Sequence, residues 1–123
     1  MRLLLDTHAF IWWDNGRLPR RTTVQIQEAD EVYVSAVTAW EIAIKSALGK
    51  ITARGTVADA IADYGFSPLP VTIEHADAVG SLPPHHRDPF DRLLIAQAQL
   101  DSLTILTADK VFEQYEVPIH WAG

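Results

Sequence analysis

An α/β domain built on a mainly parallel β-sheet is the fold class that this sequence predicts, and three observations predict it. Short apolar runs of strand character stand at Arg2–Leu5, Val32–Ser35 and Thr104–Leu106. Segments with helical spacing separate them, as parallel strands require, because each crossover must carry the chain back along the sheet. The chain is 123 residues long and 48% apolar, enough for one hydrophobic core, so a single domain over residues 1–123 is expected.

Arg2–Leu5 (RLLL) reads as a short buried strand, and Asp6 stands where it should end. Thr7–Asp14 continues as a helix until Asn15, Gly16 and Pro19 break the chain. A second helix near Arg20–Ala29 leads to the strand Val32–Ser35. Val37–Leu48 is a clear helix, and Gly49 closes it as a C-terminal cap. A helix over Thr56–Tyr64, then Gly65, an extended piece at Ser67–Pro70 and a helix over Ile73–Val79 follow. The polar, proline-bearing connection SLPPHHRDP enters the strongest helical pattern, Phe90–Leu100, before the strand Thr104–Leu106. No internal repeat or low-complexity tract interrupts this alternation.

Composition removes several classes of function. The longest apolar runs, LLL at 3–5 and AFIWW at 9–13, fall far short of the roughly 20 residues a membrane span needs, so no membrane association is expected. Leu3, Leu4 and Leu5 lead straight into Asp6 without a signal-peptide pattern, which makes the cytoplasm the expected location. The absence of cysteine excludes disulfides, thiolate zinc sites and Cys nucleophiles together. A formal charge of −6 argues against a nonspecific, charge-driven grip on nucleic acid. It leaves room for a nuclease, because carboxylates that hold cations contribute negative charge which bound metal inverts locally. GxSxG, GxGxxG and P-loop signatures are all missing.

Four carboxylates carry the functional argument. Asp6 and Asp109 each follow a strand closely, where ligands gather in parallel sheets, although capping of the next segment would explain either one alone. Glu41 shares a helical face with Val37, Ile44 and Leu48, which sets a charge in an apolar stripe. A pair with Lys45 one turn on would stabilise an exposed helix by only about 0.2–0.5 kcal/mol, too little to justify a carboxylate on a buried face. Asp91 lies on the face of Leu94, Ile95 and Ala98, but the helix dipole also favours an acid in that first turn, with Asp88 as cap and Pro89 at the first position.

Capping explains each acid separately and not their meeting at one end of one sheet. Crowded carboxylates raise one another's pKa unless a cation sits among them. Magnesium suits such a site because it takes oxygen ligands and keeps several waters, and manganese fits similarly. Metal-assisted hydrolysis of a nucleic-acid backbone is the chemistry expected of Asp6, Glu41, Asp91 and Asp109.

LLLDTH, the WE pair inside a helix, DPFDRLLIAQA and LTAD occur in that order, and together they resemble the PIN domains of VapC toxins, with DPFDRLLIAQA the most specific part. The resemblance spans Leu3 to Asp109 and maps the family's four acids onto Asp6, Glu41, Asp91 and Asp109. It implies a magnesium-dependent ribonuclease silenced by a VapB-type antitoxin, with DNA bound only through that antitoxin. It also implies a homodimer, which the abundance of apolar helix relative to a small core favours as well.

Neighbouring residues have more ordinary readings beside the functional ones. Asp88 is expected to cap, while Thr7 and Thr107 flank the acids and could hydrogen-bond a ligand carboxylate. His85 and His86, beside Arg87, are expected in a solvated loop; Arg92, Lys45 and Lys110 are expected in salt bridges or on substrate phosphate. Trp12, Trp13 and Trp40 are expected in core and dimer contacts. Two other functions compete: a different metal-dependent phosphoester hydrolase using the same acids, and a catalytically silent dimerisation or binding module.

Overall fold

Leu3, Leu4 and Leu5 are completely buried, and they divide between two cores. Leu3 and Leu5 join Phe10, Ile26, Val34 and Ile42 on one side of the sheet. Leu4 joins Leu94, Ile95, Ile105 and Phe112 on the other. A strand apolar on both faces is what a parallel sheet covered by helices on both sides demands. The computed structural model, which describes residues 1–52 and 54–123, has that architecture.

The elements in chain order are β1 (Arg2–Leu5), α1 (Thr7–Asp14), α2 (Arg20–Glu28), β2 (Glu31–Ser35), α3 (Ala36–Ala47), α4 (Val57–Tyr64), β3 (Ser67–Leu69), α5 (Ile73–Val79), α6 (Pro89–Asp101), β4 (Thr104–Thr107) and β5 (Ile119–Trp121), with a 3₁₀ helix at Lys110–Gln114 before β5. The strands form one sheet in the order β3-β2-β1-β4-β5. All four pairings are parallel, and Leu4 of β1 stands between Tyr33 of β2 and Ile105 of β4. Local chemistry agrees with this layout. Asp6, Ser35, Thr56, Thr72 and Asp88 each cap the helix that follows with a side-chain oxygen. Gly49 and Gly65 follow α3 and α4 with φ of +73° and +72°, the left-handed conformation glycine adopts without steric cost.

The α/β class, the parallel sheet and the predicted helices stand, with end shifts of a residue or two. β5 and the 3₁₀ helix add to the sequence-based reading. β5 is an edge strand with only partly covered side chains, so it lacks the apolar run that marks the central strands. The extended piece at Ser67–Pro70 is a real strand, β3, and it tolerates Pro68 because an edge strand need not donate on its outer side.

α3 departs from the stripe expected of it. Its buried residues are Val37, Thr38, Glu41 and Ile42, whereas Ile44 and Leu48 are 36% and 64% exposed. The buried positions all fall in the first two turns, so the helix leaves the protein body in its last turn. Among the described residues no helix is long and apolar enough to cross a membrane.

Candidate metal centre

The chain builds β1, β2 and β3 outward in one direction, then returns to place β4 and β5 on the other side of β1. Strand order reverses between β1 and β4, and the loops leaving their carboxyl ends diverge there, which opens a crevice where such sheets bind ligands. Asp6 is the first residue beyond β1, and Asp109 lies just beyond β4.

Asp6 is 4% exposed and held on every side. Its backbone N–H donates to the Leu106 carbonyl at 3.1 Å, extending the β1–β4 ladder. Its Oδ1 accepts from the Ala9 N–H at 2.8 Å as the cap of α1, and its Oδ2 accepts from the Thr107 hydroxyl at 2.5 Å. Thr107 Oγ1 accepts in turn from the Asp109 N–H at 3.0 Å, which ties the two acidic loops together. Burial raises the Asp6 pKa, the Thr107 and Ala9 bonds oppose the rise, and the charge on Asp109 adds to it. Asp109 itself is exposed and caps the 3₁₀ helix through the Val111 N–H. A hollow of about 340 Å³ opens between Asp6, His8, Trp12, Asp109 and Lys110.

Glu41 enters from α3 with 2% exposure. Lys45 Nζ donates to its Oε2 at 2.5 Å, while the buried Oε1 has no hydrogen-bond partner among the described residues. One turn earlier, the hydroxyls of Thr38 and Thr7 meet at 3.1 Å and fasten α3 to the start of α1. Thr7 thus binds Thr38 rather than a carboxylate, and Thr107 is the hydroxyl that holds an acid.

Asp91 enters from the first turn of α6. Asp88 caps that helix as expected, accepting from the Phe90 and Asp91 N–H groups at 2.8 and 3.1 Å. Asp91 Oδ2 lies 2.8 Å from His86 Nε2. Burial pushes the Asp91 carboxyl up from 3.8 to about 6; the His86 hydrogen bond opposes this, while the negative charges of Asp88 and Asp6 add to it.

His86 is therefore no solvated loop residue, contrary to the sequence-based expectation. Its N–H donates to the Tyr115 hydroxyl at 2.8 Å, and its side chain is 22% exposed. Arg92 also departs from expectation, since its guanidinium makes no salt bridge among the described residues. It donates to the carbonyls of Val79, Leu82, Pro83 and His86, and to the Tyr115 hydroxyl, and so fastens the loop that carries His86. Only the proline-bearing loop and the adjacency of HH to DPFD hinted at this. Lys45 does form the expected salt bridge. Trp13 packs with Tyr64 and Phe66, and Trp40 lies edge-on to Phe90 while 54% exposed.

The acids come from four separate segments, and charge coupling links Asp6, Asp91 and Asp109 directly and Glu41 only through Lys45. Among the described residues the four do not all bring their oxygens within metal-ligand reach of one another. Asp6 feels Asp109, and Asp91 feels Asp6. Lys45, bonded to Glu41, also faces the charges of Asp88 and Asp91. His86, Asp88 and Asp91 offer ligand atoms within 4.8 Å of one another. A buried carboxylate oxygen without a partner, and two acids, Asp6 and Asp91, that burial and neighbouring negative charge hold at raised pKa, suit a hard divalent cation with oxygen ligands. The donor set fits such an ion.

Solved structures share this fold. The VapBC complex of Salmonella typhimurium bound to DNA matches with a TM-score of 0.73 at 14% identity, covering 100% of this chain and 99% of that one. VapBC2 of Rickettsia felis, bound to a DNA fragment from its promoter, gives 0.72 at 13% identity over 98% of each chain. FitAcB of Neisseria gonorrhoeae gives 0.61 at 21% identity over 95% of each. No curated protein sequence matches the chain. The family model of the PIN domain matches residues 3–118, nearly the whole of the sheet and every acid described above, and by that match the chain belongs to the PIN domain family.

Proposed function

We propose that this PIN domain is a magnesium-dependent ribonuclease, with manganese as a working substitute, and that Asp6, Glu41, Asp91 and Asp109 hold the metal. The observation that carries the reading is Asp91. Its carboxylate is largely withdrawn from water, repelled by Asp88 and Asp6, and kept beside them all the same. Carboxyls held at raised pKa by burial and by neighbouring negative charge cluster at functional sites, and a bound cation would relieve the repulsion among Asp91, Asp88 and Asp6.

A bound divalent cation would activate water and stabilise the charge that develops on a phosphodiester. The chain's own residues provide the setting for that chemistry. Thr107 holds Asp6 in place through Oδ2 and joins it to the loop of Asp109. His86 orients Asp91, and Arg92 holds the backbone of His86. The hollow beside Asp6 and Asp109 is flanked by His8, Trp12 and Lys110, which supply imidazole, indole and ammonium surfaces for a nucleotide and its phosphate.

The reading extends to a toxin that a VapB-type antitoxin neutralises, supported by family membership and by the likeness to chains solved as VapBC complexes. DNA would be reached only through the antitoxin. A homodimer is part of the same reading, supported by Trp40 and Leu48, which stand 54% and 64% exposed on α3 and at its end.

The test incubates the purified chain with RNA, DNA and a small phosphate ester, each with magnesium, manganese or EDTA. RNA alone should be cut, with either metal and never with EDTA. Cleavage indifferent to chelation, or DNA cut in preference to RNA, would overturn the reading. Adding the product of a short reading frame beside the gene should stop cleavage if that product is the antitoxin.

A further inference from the structure

The two oxygens of Glu41 have opposite surroundings. Oε2 receives the Lys45 ammonium at 2.5 Å, one helical turn on, and Oε1 is buried with no partner among the described residues. The carboxylate is 2% exposed and the lysine 27%. A salt bridge formed only for stability would satisfy both oxygens or stay in water, because a desolvated carboxylate with a bare oxygen loses more hydration than one ammonium restores. The arrangement makes sense for a carboxylate that one partner steers toward another.

Lys45 is itself steered. Its ammonium lies 5.9 Å from the centroid of the Phe90 ring, on the helix that carries Asp91. Its pKa is raised, first by the hydrogen bond to Glu41 and then by the charges of Glu41, Asp88 and Asp91, against the effect of burial. The salt bridge to Glu41 and the cation–π contact with Phe90 therefore hold one ammonium between α3 and α6.

We propose that Lys45 is a positioning residue of the metal centre, clamping Glu41 Oε2 so that Oε1 is presented, already oriented, to the divalent cation. The inference rests on the proposed metal-dependent function and assigns Lys45 a part in it. The opposite role has a distinct signature. An ammonium that merely occupied the place of the metal would compete with it, and its removal would tighten metal binding. A lysine present only for stability would leave metal affinity unchanged when replaced.

The experiment titrates manganese calorimetrically into the metal-free wild-type chain, Lys45→Met, Glu41→Gln and the double variant, with a thermal melt of each to confirm folding. Lys45→Met should weaken manganese binding about 10–100-fold, the usual loss when a group that orients a metal ligand is removed. In the Glu41→Gln background the same change should add nothing, since there is no longer a carboxylate to aim. Should Lys45→Met fail to fold, Lys45→Gln, which keeps a donor without the charge, is read in the same titration. Unchanged or tighter binding in the lysine variants, or an equal further loss on top of Glu41→Gln, would overturn the proposal. Failure of the wild-type chain to bind manganese would overturn the proposed function along with it. Normal wild-type binding with indifferent lysine variants would overturn the role of Lys45 alone.

Discussion

Asp91→Asn removes one charge from the acid cluster while keeping the size of the side chain and an acceptor for His86. In the folded, metal-free protein burial pushes this carboxyl up from 3.8 to about 6, with the charges of Asp88 and Asp6 adding to the rise. At about 1.36 kcal/mol per pKa unit, the rise corresponds to about 3 kcal/mol. The Asp91 side chain is 17% exposed, so solvent screens part of this, and about 1–3 kcal/mol is expected. Because the folded pKa lies above the unfolded one, the folded state holds the proton more tightly. The stability this contributes is fully present below about pH 4 and is lost as pH rises through about 6. The amide of the variant would stay neutral throughout. Melting curves in EDTA should coincide for wild type and variant near pH 4 and separate by about 3–12 °C at pH 8, with the variant the more stable. On the same preparations magnesium should no longer raise the melting temperature, and RNA cleavage should be lost. If Asp91 served only the helix dipole, the variant would instead lose about 0.3–1 kcal/mol at neutral pH and keep its activity. A variant that melts lower at pH 8, or a gap that does not change between pH 5 and 7, refutes the reasoning.

Two further perturbations test the supports of the site. Thr107→Val keeps the shape of the side chain but leaves Asp6 Oδ2 and the Asp109 N–H without their shared partner. It should lose about 1–3 kcal/mol of stability and about 10–100-fold in metal affinity, read by denaturation and calorimetry; normal values in both would remove Thr107 from the site. Arg92→Lys replaces a planar fork that spans four carbonyls with a single ammonium. It should cost about 1.5–3 kcal/mol and speed hydrogen exchange across 82–87; unchanged exchange would show that other contacts fasten that loop.

Much of this protein could be read along the chain. RLLL and TILT announce central strands because both faces of such strands must be apolar, and their burial in the two cores follows from that requirement. The acids directly beyond them, Asp6 and Asp109, were legible as a pair for the same reason, since parallel strands that start together also end together. Asp91 was legible because Leu94, Ile95 and Ala98 mark its side of α6 as the buried one. Periodicity within one element supplies all of these signals, and each needs only neighbours a few residues away.

Tertiary structure decided what those patterns cannot encode. β5 was invisible because an edge strand with half-covered side chains has no apolar signature. The stripe expected on α3 stopped after Glu41, leaving Ile44 and Leu48 exposed, because how far a helix stays on the body depends on the elements beneath it. The bonds from Thr107 to Asp6 and from His86 to Asp91, and the carbonyls gathered by Arg92, join polar side chains to groups that only the assembled sheet and loops bring near. A hydrogen bond of that kind leaves no periodic trace in either segment. The sequence by itself determined which faces of the central strands and of α6 are buried and where four carboxylates stand on their elements. That both oxygens of Asp6 are satisfied while Glu41 keeps one buried oxygen bare was decided only when the strand order reversed beside β1 and brought those elements together.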